Sequence, residues 1–298
     1  MAGKYGRSNS MELILRNIDK SYGSNHALDC FSHTFSEGVY GLLGPNGTGK
    51  STLMNIISDN LVADKGEILY NGSPTRQLGR EFRRILGVMP QQQGIYPNFT
   101  LRRFLWYMAA LKAIKREEAR KQIDFVMERL NLASVADRKL GAFSGGMKQR
   151  ALIAQAMLGE PEILILDEPT AGLDPKERIR IRNLIAELAM DRIVIIATHV
   201  VTDIEFIARE ILLLKKGVLQ CAGTAPELCA GIEGEVYQAT VSMQAYGELE
   251  KHYLIGNMRQ AADGISVRFL SGEPVTGYPC ETARPTLEDV YLSYFGNE

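Results

Sequence analysis

The chain has 298 residues, 45% apolar and 23% charged, with a formal net charge of −1. This is the composition of an ordinary globular protein with one large domain, or one domain plus a small extra one, and it supplies no basic field for nucleic acid. Cys30, Cys221, Cys229 and Cys280 lie far apart without a C-x-x-C pair, which points to reduced, cytosolic thiols rather than a disulfide or zinc framework.

In chain order, residues 1–11 read as an N-terminal tail. Met1–Ser10 are polar, lack the apolar core of a signal peptide, and Met11 is an alternative start. From Glu12 to about Glu67, short β-like runs alternate with turns. Within this stretch Val39–Leu43 is an apolar strand, and residues 51–57 have helical character. Between them, residues 44–51 read Gly-Pro-Asn-Gly-Thr-Gly-Lys-Ser, a complete G-x-x-x-x-G-K-[ST] phosphate loop in the strand–loop–helix order that the motif requires. Backbone N–H groups freed by Gly44, Gly47 and Gly49 can cradle phosphate oxygens, with Asn46 within the same loop and Thr52 just after it. Lys50 supplies a point charge, and Ser51 a hydroxyl for Mg²⁺. The expectation is a nucleoside triphosphate site.

Gly66–Gly72 reads as a strand closed by an Asn-Gly turn, and Ile85–Met89 as a strand halted by Pro90. Residues 101–113, 116–130 and 146–158 carry apolar side chains at helical spacing, so a helical subdomain is expected at about 95–158. It contains the longest apolar run, Phe104 to Leu111, far short of the ~18 residues that span a bilayer. The chain is expected not to cross a membrane by itself. Strands at 163–166 and 193–197 then flank a helix at 176–190. This alternation predicts an α/β fold with a mostly parallel core sheet. Past about residue 231, strands at 236–241, 254–260 and 265–270 and a terminal helix at 287–295, capped by Thr286, predict a small α+β domain over 232–298.

Two further runs narrow the chemistry. Ile163–Leu166 ends in Asp167-Glu168. A strand beside the phosphate loop would bring Asp167 to the metal and Glu168 within reach of an attacking water. Ser144-Gly145-Gly146 reads as a serine N-cap with glycines in the first helical turn, a second anion site at a helix start.

Taken together, these motifs resemble the nucleotide-binding subunit of ABC transporters, over roughly residues 12–230. The family's motifs fall in order: the phosphate loop, the Q-loop Gln91, the signature Ser144-Gly145-Gly146, Asp167-Glu168, the D-loop Gly172-Leu173-Asp174 and the switch His199. Tyr22 matches the aromatic on which adenine stacks. The resemblance implies a P-loop ABC cassette with an antiparallel β subdomain, which hydrolyses ATP with Mg²⁺. Two cassettes, identical or related, would close head to tail around two ATP molecules. Ser51, Gln91 and Asp167 would serve the metal. Glu168 would act as general base, with His199 and Gln91 as catalytic partners. Ser144 and Gly146 would reach the γ-phosphate across the dimer, and Asp174 would contact the opposite subunit. Met147 departs from the glutamine frequent in the signature, which leaves Ser144 and the glycines intact.

No coiled-coil insertion and no second cassette are present, unlike DNA-repair and translation-factor relatives. The resemblance therefore implies a separate transmembrane permease, docked at a groove for which Tyr96, Pro97, Phe99 and Trp106 are candidates, and a place on the cytoplasmic face of the membrane. The C-terminal run from Pro285 to Leu292 resembles cassettes serving ABC-2-type exporters of drugs, antimicrobial peptides, ions or polysaccharides. A soluble regulatory or nucleic-acid-associated ATPase is the alternative, although no nucleic-acid partner is expected.

Overall fold

A computed structural model describes residues 11–91, 94–273, 275 and 279–296. The chain divides into two compact units, residues 1–219 and 220–298. Within the expected tail, residues 1–10 lie outside the described residues. Met11 is buried in the core and donates its N–H to Glu37 Oε1 at 2.8 Å.

In the first unit β1 (Leu13–Tyr22), β2 (Asn25–Phe35), β3 (Gly38–Leu43), α1 (Lys50–Ile57), β4 (Lys65–Tyr70) and β5 (Ser73–Pro74) come first. Two short helices, α2 (Thr75–Leu78) and α3 (Arg80–Arg84), lead into β6 (Leu86–Met89). Helices α4 (Leu101–Leu111), α5 (Arg116–Arg129) and α6 (Gly145–Met157) pack on one another as the helical segment. The chain returns through β7 (Ile163–Asp167), α7 (Pro175–Leu188), β8 (Ile193–Thr198), α8 (Val201–Ile204), β9 (Glu210–Lys215) and β10 (Val218–Gly223). The division between the units falls inside β10.

Strands β9-β3-β8-β7-β6 pair in parallel as neighbours. Ile163–Leu166 and Ile193–Ala197 are at most 1% exposed, as expected for parallel strands buried on both faces. At about 1.5–3 kcal/mol per large apolar side chain, these two strands anchor the sheet. A second sheet, β2-β1-β4-β5, is antiparallel. Its Leu13, Leu15, Phe31 and Phe35 share one core with Leu53 and Ile57 of α1 and with Tyr40, Ile165 and Ile195 of the parallel sheet. Both predicted layers, the mostly parallel core and the antiparallel β subdomain, are present. The expectation of short β-like runs before residue 67 is corrected: β1 and β2 are 10 and 11 residues long. Register shifts along β1, with positive φ at Asn17 and Cys30, break the alternation that would have announced one continuous strand.

The second unit holds α9 (Ala225–Ala230), β11 (Val236–Val241), α10 (Met243–His252), β12 (Leu254–Ala261), β13 (Gly264–Leu270), β14 (Cys280–Thr282) and α11 (Leu287–Phe295). Its sheet runs β12-β13-β11-β14, and Leu249 of α10 joins Ala239, Val241, Val267 and Phe269 in a separate small core. Arg268 pairs bidentately with the buried Asp289, which also accepts from Thr286 in the capping box of α11. The boundary expected at 231 lies beyond α9. In the structure α9 packs on α11 and so groups with the second unit.

Candidate functional site

The sheet register sets the site. Leu43, the last residue of β3, pairs with Thr198 of β8, and Asp167 at the end of β7 pairs with Ala197. The phosphate-loop strand β3 is therefore flanked by β8 and β9, and β7 lies one strand further out, yet its two acids reach the phosphate loop as expected. β8 delivers Thr198 and His199 to the gap between the loop and the two acids.

The loop backbone needs its glycines. Gly49 has φ 104°, and a Cβ there would lie 2.3 Å from Ala27 O. A Cβ on Gly44 would lie 2.4 Å from Leu214 O. Lys50 is buried at the start of α1, and its Nζ donates to Gly44 O at 2.6 Å and Pro45 O at 2.8 Å. Burial lowers its pKa, against the opposing charges of Glu168 and Asp167. The Ser51 hydroxyl donates to Asp167. Burial pushes this carboxyl up, the neighbouring Glu168 adds to the rise, and Lys50 and Ser51 oppose it.

Glu168 is 5% exposed and has φ 48°, a left-handed conformation that costs a non-glycine residue about 1 kcal/mol or more. It is held there on every side. Its N–H donates to Ala197 O at 2.9 Å, Thr198 Oγ1 donates to Oε2 at 3.2 Å, and Oε1 lies 3.2 Å from the His199 N–H and 2.7 Å from His199 Nδ1. The imidazole itself is half exposed. Behind this pair Thr170 donates to Asp203, whose Oδ1 is buried without a hydrogen-bond partner among the described residues.

A hollow of 210 Å³ gathers Tyr22, Asn46, Gly47, Gly49, Lys50, Ser51, Thr52, Gln91, Asp167 and Glu168. Thus ten of the residues singled out from the sequence meet at one place, and His199 reaches it through Glu168. Tyr22 is 52% exposed at the β1–β2 hairpin, with Lys20 Nζ over its ring at 5.8 Å from the centroid. Asn25 and Ala27 of β2 also line the hollow. Sequence reasoning missed them, as it missed Thr170, Thr198 and Asp203, because none belongs to a spaced motif.

Ser144, Gly146 and Asp174 do not line this hollow; they form a second feature where α6 meets α7. Ser144 caps α6 by accepting from the Met147 N–H at 3.4 Å, and Asp174 caps α7 by accepting from the Glu177 N–H at 3.0 Å. Gly146 packs directly on the Glu177 carboxylate. Gly145 sits beside Leu173, so the signature turn and the D-loop are in contact within one chain. The geometry offers a phosphate cradle with its cation, a hydroxyl–carboxylate pair and a buried carboxylate–imidazole pair. An exposed helix start stands apart from them.

A family model described as "ABC transporter" matches residues 28–171. The linearmycin resistance ATP-binding protein LnrL of Bacillus subtilis (strain 168) is 34% identical, over 77% of this chain and 75% of its own length. The chain belongs to the ABC transporter family of ATP-binding cassettes. It is an ATPase of that family. The Nod factor export ATP-binding protein I of Rhizobium sp. (strain N33) is 30% identical over 95% of this chain and 97% of its own length. ABC transporter A family member 8 of Dictyostelium discoideum is 36% identical over 74% of this chain, but the cassette spans only 27% of that relative's length. Among solved structures, the dimeric form of the bacterial ABC transporter cassette MJ0796 superposes with a TM-score of 0.64 at 28% identity, covering 71% of this chain and 98% of that one. Among the described residues, no helix of the cassette is long and apolar enough to cross a membrane.

Proposed function

We propose that the cassette is the ATP-hydrolysing subunit of an exporter. It works as a pair of cassettes, and closure of the pair drives a separate membrane permease. The observation that carries this reading is the split site. The phosphate-loop hollow and the Ser144–Gly146 turn are different places on one chain. A helix start with outward N–H groups favours an anion, and a second copy turned head to tail supplies it to the first copy's phosphates. The dimeric form of the similar MJ0796 cassette supports the pairing. The resistance and export names of two relatives support the direction.

Within each site the adenine stacks on Tyr22, while Gly44, Asn46, Gly47, Gly49 and Thr52 wrap the phosphates and Lys50 neutralises them. The Ser51 hydroxyl and the Asp167 carboxylate, already bonded to each other, are hard oxygen donors. Among the described residues no group of three or more His, Cys, Asp or Glu could hold a metal by itself. Such a sparse set suits Mg²⁺, which keeps several waters and leans on substrate phosphates, and which when bound spreads the charge developing on the transferred phosphoryl group. Gln91 stands at the rim for metal and water. Glu168 takes the proton of the attacking water, and His199 holds Glu168 from one side and the γ-phosphate from the other. Asp174 meets the opposite subunit. Two domains are proposed on this reading, an ATP-binding cassette and a C-terminal accessory domain that takes in α9, with the cassette peripheral to the membrane on its cytoplasmic face.

The test is affinity isolation of the tagged cassette from detergent-solubilised native membranes. Co-isolation of a polytopic membrane protein is expected. Recovery of DNA or ribosomes alone would establish the soluble, non-transport alternative instead.

A further inference from the structure

Glu168 and His199 stand on chain segments that leave the neighbouring strands β7 and β8. Beyond the bonds that Glu168 itself makes, one hydrogen bond between side chains joins residues 168–174 to residues 199–204 among the described residues. Thr170, two residues past Glu168, donates its hydroxyl to Asp203, four residues past His199. Both are buried, at 1% and 3% exposure, and neither lines the phosphate-loop hollow.

The pair lies where three parts of the site meet. Ala171 N–H donates to Glu168 O at 3.2 Å and Leu173 N–H to Thr170 O at 3.3 Å, so Thr170 belongs to the tight turn that begins at Glu168. Asp203 belongs to α8, whose Thr202 carbonyl accepts from Arg182 of α7. The next residue, Ile204, packs on Gly41 of β3, where a Cβ would lie 2.5 Å from Ile204 Cδ1. β3 runs directly into the phosphate loop. The bond therefore ties the turn that carries Glu168 to the helix that follows His199, and that helix is seated on the strand that leads to the phosphates.

Stability alone does not account for the pair. Asp203 Oδ1 is buried without a hydrogen-bond partner among the described residues. An oxygen left so costs about 1–3 kcal/mol, whereas two apolar side chains of the same shape would fill the place without that loss. The His199 ring is half exposed and meets the Glu168 carboxylate through Nδ1, at 2.7 Å, so a small movement of α8 opens that contact.

We propose that Thr170 and Asp203 are positioning residues for ATP hydrolysis, their bond holding the His199 imidazole in register with the Glu168 carboxylate. The inference rests on the reading of Glu168 as the base and adds what keeps the base and its imidazole together. Neither residue touches the nucleotide; both act through Glu168 and His199. A displacement of about 1 Å at a reacting group can cost about a hundredfold in rate.

The experiment measures ATPase kinetics and urea unfolding of full-length variants. Thr170→Val/Asp203→Leu replaces the bond by apolar side chains of similar shape and should be at least as stable as the parent. Its kcat should nevertheless fall about ten- to a hundredfold, with KM for ATP unchanged. Thr170→Ser keeps the hydroxyl and should keep most of the parent kcat. In a Glu168→Gln background the double change should lower the residual rate no further, because the pair acts through Glu168. A parent-like kcat in the double variant, a loss confined to KM, or an equal fold-loss on top of Glu168→Gln would each overturn the positioning role. So would a kcat that falls only in variants that also unfold in less urea, the mark of a structural bond. If the double variant does not fold, Thr170→Val alone is judged by the split of kcat from KM and by the Glu168→Gln background. A parent rate for Glu168→Gln itself would instead sink the reading of Glu168 as the base.

Discussion

Gly146 is where the signature turn can be tested for packing apart from chemistry. A Cβ at this position would lie 2.5 Å from Glu177 Oε2 and 3.0 Å from its Cγ and Cδ. Glu177 cannot step aside freely. Its Oε1 accepts from Arg180 at 2.7 Å, its N–H is committed to Asp174 Oδ1, and its side chain is largely buried. Forcing a methyl into such a contact costs about 1–3 kcal/mol. Replacing glycine by alanine near a helix start returns at most about 1 kcal/mol. Gly146→Ala should therefore lose about 1–2 kcal/mol of stability. Adding Glu177→Ala removes the obstructing carboxylate, so the double variant should be more stable than the sum of the two single losses allows. Urea unfolding of the four proteins, analysed as a double-mutant cycle, measures that coupling. A Gly146→Ala variant as stable as the parent, or losses that simply add, would show that this contact does not constrain α6 against α7.

Glu168→Gln keeps the shape and most hydrogen bonds but removes the base, so hydrolysis should fall about 10²–10⁴-fold while ATP still binds and traps a dimer visible by light scattering; a parent-like rate would reassign the base. Lys50→Ala should weaken nucleotide binding itself, measured by titration with a fluorescent ATP analogue, and an unchanged affinity would remove Lys50 from the phosphate site. Burial lowers the Lys112 pKa from 10.5 to about 8. Below pH 8 both states are protonated and the folded state bears the full cost of the buried ammonium. Between about pH 8 and 10.5 the unfolded chain holds more protons, so this contribution to stability rises with pH, by about 3 kcal/mol in all. The unfolding free energy of the parent should therefore climb relative to Lys112→Met from pH 8 to pH 10, and a flat difference would refute the burial argument.

What was legible in the sequence was whatever depends on local spacing. The phosphate loop, the capped start of α6, the apolar run of β7 and the Thr286 cap of α11 each specify their geometry within a few residues. What was not legible depends on which strands become neighbours. Nothing in Ile163–Glu168 says that β8 lies between β7 and β3, so Thr198 could not be foreseen as a support for Glu168. Helix α10 escaped notice because Gly247 interrupts it and Leu249 is its one fully buried side chain, too sparse an apolar stripe to show periodicity. The cluster of Arg80, Arg84 and Lys112 was hidden for the same reason: the two arginines lie about thirty residues before Lys112 and share a hollow with it only in the folded chain.

The conformation at Glu168 explains how two adjacent acids take separate work. On a regular strand, consecutive side chains point to opposite faces, and one of Asp167 and Glu168 would turn away from the hollow. The left-handed φ at Glu168 ends β7 abruptly and lets both carboxylates line it, each with different company. Asp167 meets the Ser51 hydroxyl and Lys50, which oppose the upward push that burial and the neighbouring Glu168 give its carboxyl. Glu168 is gripped by Thr198 and His199, and it touches a half-exposed imidazole rather than a fixed cation. Placing neighbouring carboxylates in unlike surroundings is how one site divides acid–base work between them. The strain at Glu168 is thus offset by bonds from β8, the strand between β7 and the phosphate-loop strand β3. His199 directly follows β8, so the same segment that supplies Thr198 to Glu168 also supplies the imidazole that meets its Oε1.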